Sequence, residues 1–274
     1  MSFGFGFGLQ YSRLSGGGGF EGFLNQFPGA ILGLSLDKLD KNYTGSAIKV
    51  RRSSDNAELD IGFVDGILDT ASLLDFVGSG NGFVSVIYDQ VGSNNMTQTT
   101  ANLQGQIVSN VSVILKGGKP CIIRSASKDG GYISTYAPND GATVKGVFYV
   151  GDNENKTSII LGSAIGSDDF SLVAERNSIN SQISESVIVS NTKLNGTNQS
   201  FQNRGEAYTA TNLHFLIYQE IDFNFGDNTL GLGYKKDNPE GYGMFTFQEL
   251  VIFENTDDAV AKENNINARY NNIY

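Results

Sequence analysis

Short apolar runs separated by turn-forming residues recur along most of this chain. Beyond residue 105 they read VSVIL, GVFYV, SIILG, FSLVA, SVIVS, LHFLIY, LGLGY and MFTFQELVIF, with GDNEN, GSDD and KKDNPEG among the segments between them. Eight or more such runs predict an all-β antiparallel sandwich of the jelly-roll type, in which alternate side chains enter the core. In the last run, read as one strand, Phe245, Phe247, Val251 and Phe253 point one way while Leu250 and Ile252 point the other, so both faces are covered. A few short helices interrupt this pattern. LSLDKLDKNY places Leu36, Leu39 and Tyr43 at helical spacing. LDTASLLDFVG puts Leu73, Leu74 and Val77 on one face, with Asp69 as N-cap and Gly78 as the stop. TGSAIKVRRSS is a strand in which Ile48 and Val50 alternate with Lys49 and Arg51. GFVSVIYDQ is another, with Val84, Val86 and Tyr88 on one side. The chain closes on an amphipathic helix marked by Ala259, Ile266, Tyr270 and Ile273.

Residues 1–29 follow a different rule and are read as an N-terminal docking arm, leaving 30–274 as the sandwich. The opening MSFGFGFGLQ puts Phe3, Phe5 and Phe7 on one face of an extended segment, followed by Leu9, with glycines on the other. Glycine leaves room for another backbone, while exposed phenylalanines favour burial against a partner or the chain's own domain. The run Gly16–Gly19 is a flexible joint. A low-complexity tail is the alternative, weakened by the aromatic content.

Composition narrows the chemistry. Thirty-four glycines against four prolines suit many tight turns, and the formal charge of −10 disfavours nucleic acid as a partner. Membrane insertion is not expected, because no apolar stretch approaches spanning length. Cys121 and His214 are the sole residues of their kinds, so neither an intrachain disulfide nor a Cys/His zinc spacing can form. His214, on the face of Leu216 and Tyr218, is read as a packed histidine. The N-terminus lacks a cationic segment followed by an apolar one, so no secretory signal is expected. Nucleotide-loop and serine-hydrolase motifs do not occur.

Several polar groups are candidates for a site. Arg51, Arg52 and Asp55 stand in one segment and Tyr88, Asp89 and Gln90 in another. Asp89 could fix an arginine by a charge-assisted hydrogen bond, or the cluster could simply pin two loops together. Sugar faces stack on aromatic rings; with no tryptophan, Tyr132, Tyr136, Tyr234 and Tyr242 in Gly- and Asp-rich loops are the candidates. Asp222, Asn224 and Asp227 offer hard oxygen ligands for calcium, although the position of a bidentate glutamate is Gly233 and a turn explains the segment equally well. Glu175, Glu206, Glu220 and Glu249 lie in or beside strand-like runs, where they read first as solvated outer-face carboxylates. No catalytic residue and no obligatory cofactor is assigned.

The segments YTGSAIKVRRSSDNAELDIGF, GFVSVIYDQVGSNNMTQTTANLQGQIV and GKPCI resemble concanavalin-A-like domains of phage virion proteins. The same pattern is similar to the catalytic-domain family of α-L-arabinofuranosidase B, where an Arg-x-Ser-Asp segment precedes a Tyr-Asp-Gln segment. The closing FQELVIFENTDDAVAKENNINARYNNIY resembles the end of laminin-G-like phage domains. Departures include Val91-Gly92 where Ser-Gly commonly follows Tyr-Asp-Gln, and the lack of a convincing counterpart to the arabinofuranosidases' catalytic carboxylates. The resemblance therefore implies a concanavalin-A-like sandwich and, in first place, a non-enzymatic phage virion structural protein. That reading is a tail-fibre or adsorption component, attached through its arm and contacting host glycans. It carries a virion localisation after cytoplasmic assembly and a homo-oligomer, a trimer by analogy with fibres. A capsid decoration protein binding only viral partners is the second reading, and a glycoside hydrolase the third.

Overall fold

The computed structural model describes residues 20–124, 131–134, 143–152, 161–165, 171–172, 188–199, 214–224, 229–233 and 245–274. Among these residues two large antiparallel sheets dominate, as the apolar runs predict. The first has the strand order Ala30–Ser35, Glu249–Phe253, Thr143–Asp152, His214–Asn224, Ile188–Leu194, Thr197–Gln199. The second is built around Gly82–Ile87, which pairs with Ile48–Arg52, Met96–Thr97 and Gly105–Ser109. It extends to Ile122–Arg124 and Phe245–Phe247 at one end and to Tyr132–Ser134 and Thr229–Leu232 at the other. Leu32, Leu34, Val147, Tyr149, Leu250 and Ile252 of the first sheet bury against Ile48, Val50, Val84, Ile107, Phe245 and Phe247 of the second.

The first sheet is covered on its other face too. Phe148, Val150, Leu216, Tyr218, Val251 and Phe253 pack beneath Ile266 of the C-terminal helix, Ala259–Arg269, and the adjoining Tyr270. Burial on both faces explains why residues 250–253, the end of MFTFQELVIF, are continuously apolar rather than alternating. The facing of its residues differs from the expected one, however. Phe245 and Phe247 share a core with Leu250 and Ile252, not with Val251 and Phe253. The run is two strands: Phe245–Phe247 pairs with Ile122–Arg124 in the second sheet, and Glu249–Phe253 enters the first. Crossing between sheets at Gln248 resets the alternation. Gln248 steadies the crossing, its side-chain amide donating to the carbonyls of Lys116 at 3.0 Å and Pro120 at 3.2 Å.

A similar shift occurs in GFVSVIYDQ. Lys49 stands opposite Val86 and Val50 opposite Val84, leaving Ser85 as an extra residue. This bulge places Ile87, rather than Val86, beside Val84 in the core. The helix Thr70–Val77 forms as predicted: the Asp69 carboxylate accepts from the Ser72 backbone N–H at 3.0 Å and Gly78 ends it at φ 62°. No helix forms over Leu36–Tyr43. There the Gln90 side chain takes over helical hydrogen bonding, accepting from the Leu39 N–H at 2.7 Å and donating to the carbonyls of Ser35 and Asp37 at 3.0 and 2.9 Å.

The folded body also begins before residue 30. A short helix, Phe23–Gln26, buries Phe23 against Phe253, and the Leu24 N–H donates to the Leu39 carbonyl at 2.9 Å. Phe3, Phe5, Phe7 and Leu9 of the expected arm lie outside the described residues. Among those described, no helix is long and apolar enough to cross a membrane.

Two substitutions separate packing from capping. Leu250→Ala, at a fully buried position between the sheets, should lower unfolding free energy by about 2–5 kcal/mol. Asp69→Ala, which removes only the helix cap, should cost about 1 kcal/mol. Urea denaturation followed by circular dichroism measures both; equal losses would refute this division.

Candidate functional site

Two polar clusters lie within the apolar frame. The first gathers around Asp89 and Gln90, just beyond the bulged strand. Asp89 is 2% exposed and its carboxylate accepts four backbone N–H bonds, from Gly33 and Val91 on Oδ1 and Gly92 and Asn94 on Oδ2, at 3.0–3.1 Å. With both oxygens filled by donors, this group holds the opening strand to the loop after Gly82–Ile87. It has no lone pair aimed at an incoming proton. Gln90 does the same for residues 35–39.

The expected partnership of Asp89 with an arginine does not form. Arg52 makes a two-pronged bond to Asp55 at 2.8 and 2.7 Å, which holds the Asp55 carboxyl down at about 2. Arg51 donates to the side chains of Gln104 and Asn56 and stacks 5.0 Å above the Phe83 ring. Tyr88 reaches away to Asp60 at 2.6 Å; burial, then that carboxylate, push its hydroxyl's pKa up. The structure thus joins Asp89 to Gln90 but leaves Arg51, Arg52, Asp55 and Tyr88 as separate contacts.

Of the tyrosines, Tyr132 is a correction. It sits on a strand with no exposure, its hydroxyl donating to the Val84 carbonyl at 2.6 Å and accepting from the Gly105 N–H at 2.9 Å. A ring so enclosed cannot stack on a sugar. Tyr136, Tyr234 and Tyr242 lie outside the described residues, as does Asp227. Asp222 and Asn224 are placed on the strand His214–Asn224, but their side chains are not among those described. Among the described residues no group of three or more His, Cys, Asp or Glu side chains is placed to hold a metal ion.

The second cluster was not foreseen. Glu249, at the start of the closing strand, has no exposure and is neutralised by Arg269, whose two terminal nitrogens lie 2.6 and 2.8 Å from its oxygens. Ser35 and Tyr270 also donate to Glu249, at 2.8 and 3.2 Å. Asp37 pairs with Lys119 and lies 3.9 Å from Arg269. Phe23 lies beneath the Arg269 guanidinium, 4.9 Å from its ring centre, and Tyr270 lies 5.0 Å from the Lys119 ammonium. Burial opposes the charge on Arg269, but Glu249 beside it outweighs that effect and keeps it protonated, while burial followed by Glu249 raises the Tyr270 pKa. A glutamate inside an apolar strand run was the available signal, since a carboxylate is so placed only with a partner. His214, expected to be packed, faces Tyr270 and lies 2.7 Å from the Gln248 amide oxygen.

Asp37 and Lys119 also border a cavity of about 410 Å³, walled by Leu68, Leu74, Val113 and Leu115. Both acids of the cluster are held by cations, an arrangement suited to locking elements together rather than to exchanging protons. Arg269→Met should therefore destabilise the protein by about 3–5 kcal/mol by stranding Glu249. Adding Glu249→Gln should recover part of that loss, and urea unfolding of the single and double variants checks the coupling. Additive losses would show that the pair does not act as a unit.

The model of the family described as α-L-arabinofuranosidase B, catalytic, matches residues 35–114. No curated protein matches the chain. A crystal structure of an arabinofuranosidase complexed with arabinofuranosyl-α-1,2-xylobiose superposes with a TM-score of 0.54 at 16% identity, covering 86% of this chain and 62% of that one. A Glu-to-Gln mutant of a GH54 α-L-arabinofuranosidase, soaked with 4-nitrophenyl α-L-arabinofuranoside, gives 0.51 at 17% identity with the same coverage. The chain thus spans less than two thirds of the length of these neighbours, and at such identity the likeness shows a shared β-sandwich fold. The family match overturns the expectation of a non-enzymatic phage virion protein, whether tail fibre or decoration, and favours the reading placed third.

Proposed function

We propose that this chain is a glycoside hydrolase that removes α-L-arabinofuranosyl groups. The family match over residues 35–114 carries this reading, and it covers the Asp89–Gln90 cluster that ties the opening strand and Leu39 to the loop after Gly82–Ile87. The shared fold supports it.

Such hydrolysis needs two carboxyl groups flanking the scissile bond, one to protonate the leaving oxygen and one to attack or to activate water. Asp37, Asp89 and Glu249 are poor candidates, since ion pairs or backbone donors already engage each of them. Glu175 and Glu206, which the sequence reading set in or beside strand-like runs, lie outside the described residues, and they are the first residues to substitute.

The test is release of 4-nitrophenolate from 4-nitrophenyl α-L-arabinofuranoside by the full chain, with aryl xyloside and glucoside as controls. We expect turnover of the arabinofuranoside. Changing a member of the catalytic pair to glutamine should lower kcat by about 10²–10⁴-fold without altering the unfolding curve. A folded protein that cleaves neither this substrate nor arabinose-substituted xylan would refute the proposal.

A further inference from the structure

The cavity beside Asp37 and Lys119 has a feature that sugar hydrolysis does not call for. Its walls are mainly aliphatic, and three of its lining residues, Ile67, Val111 and Leu115, are 40–56% exposed at the mouth. Val64, cross-strand partner of Ile67, is 52% exposed, and Phe20 is 39% exposed. These five make up more than half of the nine large apolar side chains exposed among the described residues. Concentrating them around one concavity marks an interaction surface rather than scattered surface residues.

Phe20 indicates the occupant. Its ring lies against Gly66, where an added Cβ would come 2.5 Å from the ring, and Gly66 is followed directly by the wall residue Ile67. Phe20, the first described residue, therefore stands at the edge of this cavity, and nineteen residues precede it. Those residues carry Phe3, Phe5, Phe7 and Leu9 at alternate positions and one charged side chain, Arg13. Residues 10–19 alone could extend about 33 Å, ample for Phe3 to Leu9 to return to the mouth. A cavity of about 150 Å³ accommodates one benzene ring, so about 410 Å³ has room for two phenyl groups.

We propose that this cavity is the docking site for the Phe-Gly segment of the same chain, residues 3–9. Alternate phenylalanines enter between the helix Thr70–Val77 and the short strands and turns of residues 111–120, while the intervening glycines let the segment lie close to the rim. Docking covers apolar surface on both partners, which is the driving force for the contact. The inference is independent of the proposed hydrolase activity.

The absence of tryptophan makes a direct test available. In the full chain, Phe5→Trp introduces a single reporter. Its emission should be blue-shifted and shielded from iodide, at dilute as well as high protein concentration. Adding Ile67→Lys and Leu115→Lys, at exposed rim positions chosen to spare the fold, should abolish the shift and shielding while leaving the urea midpoint unchanged. Water-like emission without the rim changes would overturn the proposal, as would a shift that survives them. A shift that develops only as concentration rises would overturn same-chain docking in favour of a second copy. If the lysine variant unfolds, Ile67→Ser with Leu115→Ser supplies the same comparison.

Discussion

Glu249 and Arg269 form the contact on which the body of this protein turns. Glu249 begins the strand between Ala30–Ser35 and Thr143–Asp152, while Arg269 ends the helix over that sheet's outer face. Their two-pronged bond fixes the helix to the sheet at one point, and Ser35 ties the opening strand to the same carboxylate. Withdrawing both charges from water is costly, and the cost is offset only because each available oxygen has a donor and Phe23 and Tyr270 flank the guanidinium. Three parts of the chain distant in sequence thus meet at one group. The apolar contacts around it are non-directional by themselves; this pair adds direction.

The neighbouring crossing at Gln248 has a related role. A single segment contributes Phe245 and Phe247 to one sheet and Leu250 and Ile252 to the other, so both sheets are held in one register about the core. The Gln248 amide binds carbonyls of the turn at 116–120, which carries Lys119 and with it the partner of Asp37. The ionic cluster, the crossing and the cavity wall are therefore one connected piece of structure.

This arrangement bears on the proposed hydrolase activity. The buried acids among the described residues, Asp37, Asp89, Glu249 and Glu263, are engaged by ion pairs or backbone bonds. The Arg51–Asp55 and Tyr88–Gln90 segments, read from sequence either as a polar site or as a pin between loops, make internal side-chain contacts to Gln104, Asn56, Asp60 and the backbone of residues 33–39. Polar residues in a recognisable pattern can thus mark a fold without marking its reaction centre, since capping buried backbone groups constrains residue type as strongly as catalysis does.

The sequence by itself determined the β-sandwich, the helix capped by Asp69 and the amphipathic closing helix, because each depends on local periodicity and capping. It also contained the arabinofuranosidase-like pattern, which the family match places over residues 35–114. Only tertiary structure decided which way the side chains of GFVSVIYDQ and of the closing run face, because a bulge at Ser85 in the first and a change of sheet at Gln248 in the second each shift an alternation whose period is two. It likewise decided that residues 36–43 are not helical, since Gln90, some fifty residues away, satisfies their backbone. The fates of Glu249 and Tyr132 belong with these. Whether a carboxylate is solvated or neutralised, and whether a ring is presented or enclosed, depends on neighbours brought together from distant parts of the chain, which local pattern does not contain.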